Sequence, residues 1–266
     1  MRQLKQKILF CLCDGVAFSE PKEAFFYKSY KMLEWRLRGY KAVSVRGAIN
    51  ELIVSGMVGR MTRGRQAFFN MTTVGKEQLR AFIPSARFGR ERWDRSWRML
   101  TLRRGGLRRK ELRQLLIVLA DLGFGRLERG VYVSPFPTEK ELTKLVAKMG
   151  VLGELRLLKT QRFLLGDDRT FATQVWELNT IYNKYRELIT QALGVLHTVK
   201  REKGLTYQVE DAYQKLLFDW FGLLKIDPGL PKALIQSDWP RLEAGKLMAK
   251  IAFYLRELEE GGGSKS

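Results

Sequence analysis

Apolar residues at Leu4, Ile8, Leu9, Cys11 and Leu12 recur at helical spacing, and the Asp14-Gly15 pair stops the run, which predicts a first helix. Phe25, Phe26, Tyr30, Leu33 and Leu37 predict a second, ending near Gly39. A third is expected to begin after Ser44, whose hydroxyl suits an N-cap, and to bury Val45, Ala48, Ile49, Leu52 and Ile53 before Gly56. The pattern then becomes strand-like over Val58 to Met61 and Gln66 to Thr72, around a basic turn at Thr62-Arg63-Gly64-Arg65. Three helices followed by a hairpin is the order of a winged helix-turn-helix, in which the third helix enters the major groove of DNA.

A second pattern starts at Trp97. Arg98 to Leu102 is strand-like, and Leu107 to Leu122 is helical with Leu112, Leu115, Leu116 and Leu119 as its apolar stripe. Phe124 to Ser134 gives two short strands around Glu128-Arg129-Gly130, Thr138 suits the N-cap of a helix through Met149, and Glu154 to Leu158 gives a last strand. Strand, helix, strand, strand, helix, strand is the ferredoxin-like order. Beyond Asp168 the chain predicts helices over Phe171 to about Lys203, Tyr207 to Leu224 and Arg241 to Glu259. The expected class is therefore α+β, with a winged helix-turn-helix over 1–80, a ferredoxin-like domain over 94–166, a helical domain over 167–260 and a flexible tail over 261–266.

Charge gives this architecture a partner. The 266 residues carry a formal net charge of +20, and it is unevenly placed: +11 over residues 1–93, +9 over 94–166 and zero over 167–266. A polyanion is the partner that such a balance suits, and double-stranded DNA fits the helix order. On the third helix Ser44, Arg46 and Asn50 are the expected DNA-facing residues. Arg matches guanine edges and Asn adenine edges, each by paired hydrogen bonds. Arg60, Arg63 and Arg65, with Gln66 at the start of the second strand, are the expected wing contacts, where like charges crowd in a way that phosphate would relieve. Arg103, Arg104, Arg108 and Arg109 head the densest basic run, a further candidate contact surface that also suits an ordinary solvated face.

Other chemistries find less footing. No window approaches a membrane span and no secretory leader is recognisable, so a cytoplasmic protein that does not engage membrane is expected. Cys11 and Cys13 are too close to bridge one another, and the single His197 lies far from both, so buried thiols are expected rather than a zinc site, with redox sensing as the alternative. Arg103-Arg104-Gly105-Gly106-Leu107 has neither a P-loop ending nor a dinucleotide-binding pattern, and the carboxylates are scattered. No enzyme, cofactor or metal is expected.

Four motifs in order resemble the PaaX family of transcriptional repressors. They are Arg63-Gly64-Arg65 with Met71-Thr72-Thr73-Val74-Gly75; Trp93-Asp94 with Trp97-Arg98; Leu122-Gly123-Phe124-Gly125 with Gly130-Val131-Tyr132-Val133-Ser134-Pro135; and Asp227-Pro228-Gly229-Leu230-Pro231 with Asp238-Trp239-Pro240. The resemblance implies a homodimer that binds operator DNA and is released by a small acyl-CoA-type effector. It also implies a central domain similar to the small nuclease of CRISPR adaptation. Where the nuclease relatives carry a metal-binding carboxylate after the first strand, this chain has Leu102-Arg103-Arg104-Gly105-Gly106, which disfavours cleavage. The rival expectations are a nucleic-acid-processing enzyme or accessory subunit built on that central domain, and a non-catalytic architectural DNA binder.

Overall fold

A computed structural model describes residues 2–14, 28–89, 92–103, 105–161, 166–202 and 206–262. In chain order, α1 (Arg2–Leu12), β1 (Lys28–Ser29), α2 (Tyr30–Arg36) and α3 (Ala42–Val54) lead into the hairpin β2 (Val58–Arg63) and β3 (Gln66–Met71). Two helices follow, α4 (Thr73–Ala81) and α5 (Pro84–Phe88). Next come β4 (Trp97–Leu102), α6 (Arg109–Asp121), β5 (Gly125–Glu128), β6 (Val131–Ser134), α7 (Glu139–Lys148) and β7 (Leu155–Thr160). The chain closes with α8 (Asp168–Trp176), α9 (Leu178–Arg201), α10 (Tyr207–Ile226) and α11 (Arg241–Gly262). The α+β class holds.

By its contacts the chain divides in two. One unit holds Met1–Ile83, Asn183–Lys225 and Pro240–Ser266; the other holds Pro84–Tyr182 and Ile226–Trp239. The last helices, expected to stand as a domain of their own, thus pack largely with the first 83 residues. The physical reason is visible along α10, one side of which is spent on α1 and α2. Phe221 packs at 4.4 Å against Phe10 with the rings tilted, the Lys7 ammonium lies 4.9 Å from the Phe218 ring, and the Tyr213 hydroxyl donates to the Asp14 carbonyl at 3.4 Å. Gln214 donates to the Arg36 carbonyl, and Tyr207 meets Trp35 edge to face.

Within this first unit the hairpin takes β1 as a third strand, in the order β1-β3-β2 with all neighbours antiparallel. The second helix is shorter than expected. It begins at Tyr30 because Ser29 caps it, its hydroxyl accepting from the Met32 N–H at 3.3 Å; Phe25 and Phe26 lie outside the described residues. The third helix begins two residues before Ser44, with Lys41 at the N-cap, so Ser44 sits in the first turn and caps nothing. Val45, Ala48, Ile49 and Leu52 are buried on one face as the spacing predicts, each contributing through apolar area removed from water. Thr72 ends the hairpin and caps α4, a helix the apolar pattern did not predict: its hydroxyl accepts from Gly75 N–H at 3.1 Å and donates to the Gly56 carbonyl at 2.7 Å. Gly75 is required there, since a Cβ would fall 2.2 Å from the Met57 carbonyl oxygen.

The second unit is a four-stranded antiparallel sheet, β5-β6-β4-β7, in which α6 connects β4 to β5 and α7 connects β6 to β7. Leu100, Tyr132 and Leu155 of the sheet share a core with Leu115, Leu119, Leu142 and Val146 of the two helices. The α6 stripe is narrower than expected: Leu115 and Leu119 are buried, Leu112 is half-buried and Leu116 is exposed. Thr138 occupies the α7 N-cap without a side-chain cap bond; its hydroxyl reaches the Leu122 carbonyl instead. The expected helix from Phe171 to Lys203 is two helices, broken at Glu177, whose φ of +50° leaves the helical region. Asp167 caps the first of them, accepting from the N–H groups of Arg169 and Thr170. At the C-terminus, α11 runs through Gly262, into the stretch expected to be a tail, of which 263–266 lie outside the described residues.

Candidate nucleic-acid interface

The buried face of α3 leaves an opposite stripe in solvent, on which Ser44, Arg46 and Asn50 are all exposed. Arg46 does not point freely outward. Its Nε donates to the Glu34 carboxylate of α2 at 2.6 Å, and the guanidinium lies 5.6 Å from the Tyr30 ring. The hydrogen bond and charge of Glu34 strengthen the Arg46 proton affinity. Tyr30 also reaches Asn50, donating to its Oδ1 at 3.5 Å, the long end of a hydrogen bond, while its ring packs at 4.4 Å against Phe69 of the hairpin. Sequence reasoning named Arg46 and Asn50 but missed the two α2 residues that set their positions. Their i,i+4 spacing, Tyr30 and Glu34, was the available sign, since such a pair lies on one side of a helix.

On the hairpin the turn is the two-residue Gly64-Arg65, with Gly64 at φ +59°, where an L side chain would be strained. Arg63 and Gln66 are paired across the strands and share a face; Arg60 is paired with buried Phe69 and therefore starts from the opposite face. All four are exposed, with Arg65 at the tip. The expected cluster thus splits, with Arg63 and Gln66 on one side of the ribbon and Arg60 on the other. Among the described residues none of the three arginines has a carboxylate partner.

The basic run of the second unit is less free of acid. Arg103 stands 4.0 Å from Glu154, and Arg108, at the head of α6, pairs with Glu111 at 3.1 Å while its N–H donates to the same carboxylate. Arg109, Lys110 and Arg113 are exposed, and Arg104 lies outside the described residues.

The second and the last of the family motifs, by contrast, hold the fold together. Arg98 is 1% exposed and lies in a knot: it donates to both oxygens of Asp94, to Glu139 at 2.6 Å and to the Ser96 and Pro135 carbonyls. The Arg98 hydrogen bonds hold the Asp94 carboxyl at about 2, with Lys159 adding a 3.3 Å ion pair. Trp97 donates to Asp168 at 2.7 Å and stacks on Trp176. Asp227 accepts from Gly229 N–H at 2.9 Å and from the Trp239 indole at 3.2 Å, so the two halves of the last motif clasp each other. Gly229, at φ +67°, admits the Pro84 carbonyl where a Cβ would sit 2.6 Å away.

The remaining candidates are placed plainly. Cys11 and Cys13 are both buried, and burial pushes the Cys11 thiol up to about 12, which disfavours its thiolate. His197 is exposed on α9. Of the aromatics on the last helices, Tyr185, Tyr213, Trp220 and Phe221 are core, while Trp176, Tyr182 and Phe218 are half-buried. Among the described residues no group of three or more His, Cys, Asp or Glu is placed to hold a metal ion, and no helix is long and apolar enough to cross a membrane.

Residues 90–172 match the family described as the PaaX protein central Cas2-like domain, and residues 176–261 match the PaaX-like protein C-terminal domain. Among solved structures, the uncharacterized protein Rv0674 of Mycobacterium tuberculosis is similar in fold, with a TM-score of 0.51, 18% identity and 84% of each chain covered. No curated protein matches the sequence.

Proposed function

The chain belongs to the PaaX family, and from that premise we propose that it is a sequence-specific DNA-binding transcriptional regulator, a repressor rather than an enzyme, whose first 83 residues include a winged helix-turn-helix. The observation that carries this is the exposed face of α3, where Arg46 and Asn50 are steadied from α2 without being buried by it. The helix order, the three-stranded sheet and the unpaired arginines of the hairpin support the same reading. In it, α3 enters the major groove, Arg46 and Asn50 meet base edges, and Arg63, Arg65 and Gln66 meet phosphate or the minor groove, with Arg60 on the ribbon's far side. Glu34 acts as a holder that hands Arg46 over: its grip on Nε leaves the other guanidinium donors available to a guanine edge.

The second unit, with its ferredoxin-like strand order, serves in this proposal as a scaffold that adds positive charge through Arg103, Arg108 and Arg109. The protein acts as a homodimer on a partly palindromic operator and is released by a small acyl-CoA-type effector. Selection of bound fragments from sheared genomic DNA tests the core of this. A recurrent motif close to promoters is expected, and uniform recovery of sequences would reject sequence-specific regulation.

A further inference from the structure

Positions 43, 46, 47, 50 and 54 of α3 fall on one stripe, opposite buried Val45, Ala48, Ile49 and Leu52. Val43 and Val54 on that stripe are the most exposed large apolar side chains among the described residues, at 82% and 90%. One turn beyond Val43 stands Gly47, in the middle of the helix. Glycine there gives up more backbone freedom than alanine would, and a Cβ added to Gly47 meets nothing within 4 Å. No neighbour inside the protein asks for the missing side chain. Residues four apart lie one above the other on a helix, so exposed Val43 neighbours bare, open backbone at Gly47, with Arg46 and Asn50 on the same stripe.

The major groove presents one apolar group, the 5-methyl of thymine; the other base edges there present donors and acceptors. Gly47 offers open space, Val43 an apolar wall beside it, and neither brings a side-chain hydrogen-bonding group. We infer that Val43 and Gly47 together seat the 5-methyl of a thymine, with Val43 as the wall and Gly47 as the floor. The inference rests on the DNA-reading role proposed for α3 and adds the identity of one base. Gly194 of α9 and Gly222 of α10 are equally open to a Cβ, so alanine at Gly194 serves as a control for the general effect of filling a helical glycine.

The full chain would first select duplexes from a randomised pool. The best of these, and versions with each thymine in turn replaced by uracil, would then be titrated with the parent, Val43→Ala, Gly47→Ala and Gly194→Ala. One uracil replacement is expected to weaken the parent about five- to tenfold and to leave Val43→Ala unaffected at that position. Gly47→Ala is expected to raise Tm by roughly 2–4 °C while weakening binding to the thymine duplex about fivefold; Gly194→Ala raises Tm alone. The inference is overturned if the parent is indifferent to every thymine-to-uracil change, if Val43→Ala keeps the parent's sensitivity, or if Gly47→Ala binds like the parent. A selection that enriches no sequence at all would instead locate the failure in the proposed function, and the thymine seat would fall with it.

Discussion

The arginines of this chain divide into two populations that look alike in composition. Arg36 and Arg98 are buried and met by carboxylates: Arg36 with Lys28 closes on the buried Asp14, and Arg98 closes on Asp94 and Glu139. Arg63 and Arg65 stand in solvent on a strand end and a turn, with no acid near them among the described residues. Burial without a partner would cost several kcal/mol per charge, so an inward arginine must bring its own counter-charge, whereas an outward one is free to await a polyanion. Arg46 stands between the two, exposed yet paired with Glu34. A high net charge therefore measures two things, the charge spent on holding the fold and the charge left at the surface.

Substitutions should separate the populations. The largest effect is expected at Asp14, where burial raises the carboxyl but Arg36 and Lys28 outweigh it and hold it below the usual carboxylate range. Asp14→Asn leaves two buried cations without their counter-charge and should cost about 3–5 kcal/mol in urea unfolding. Arg98→Ala comes next, at about 3 kcal/mol, because the carboxylates it abandons are each about a third exposed and regain water. If either variant unfolds like the parent, these buried ion pairs do not hold the fold together.

Arg46→Ala should leave the unfolding midpoint nearly untouched and reduce discrimination at one base position on the order of tenfold, measured by competition between the selected duplex and single-base variants. Acid sharpens the contrast further. The Asp94 carboxyl is depressed to about 2 from an ordinary 3.8, so the stability it lends is present above 3.8 and is lost as pH falls from there through about 2. Water at the exposed side of Asp94 moderates its size. Urea midpoints between pH 5 and pH 2 should fall less steeply in Asp94→Asn than in the parent, and equal slopes would contradict the assignment. The smallest effect is expected for Arg63→Ala: no measurable change in stability, weaker binding to specific and random duplex alike, and a log–log salt slope reduced by about 1.

Much of the architecture was legible in the sequence because helical and strand periods are written by burial. The α3 stripe at Val45, Ala48, Ile49 and Leu52, the hairpin around Gly64 and the order of β4 to β7 all follow from apolar spacing and turn chemistry. Cap positions were less legible. Ser44 sits inside its helix and Thr138 holds the expected N-cap position without a side-chain bond, whereas Ser29, Thr72 and Asp167 cap with their side chains, since a cap depends on where the backbone turns and not on the hydroxyl alone. Arg46 and Asn50 were legible as outward residues on the third helix; Tyr30 and Glu34 were not, because their role exists only where α2 meets α3.

The same boundary runs through the whole molecule. Local spacing determined the type and order of most elements, the positive character of the first two thirds and the family motifs, because each depends on neighbours within a few positions. Which arginines turn inward, which face of the hairpin holds Arg60, and the gathering of α10 with α1 and α2 were settled by folding. The last of these joins residues far apart in the chain: Asp14 meets Tyr213, and Arg36 meets Gln214, across separations that no local period encodes.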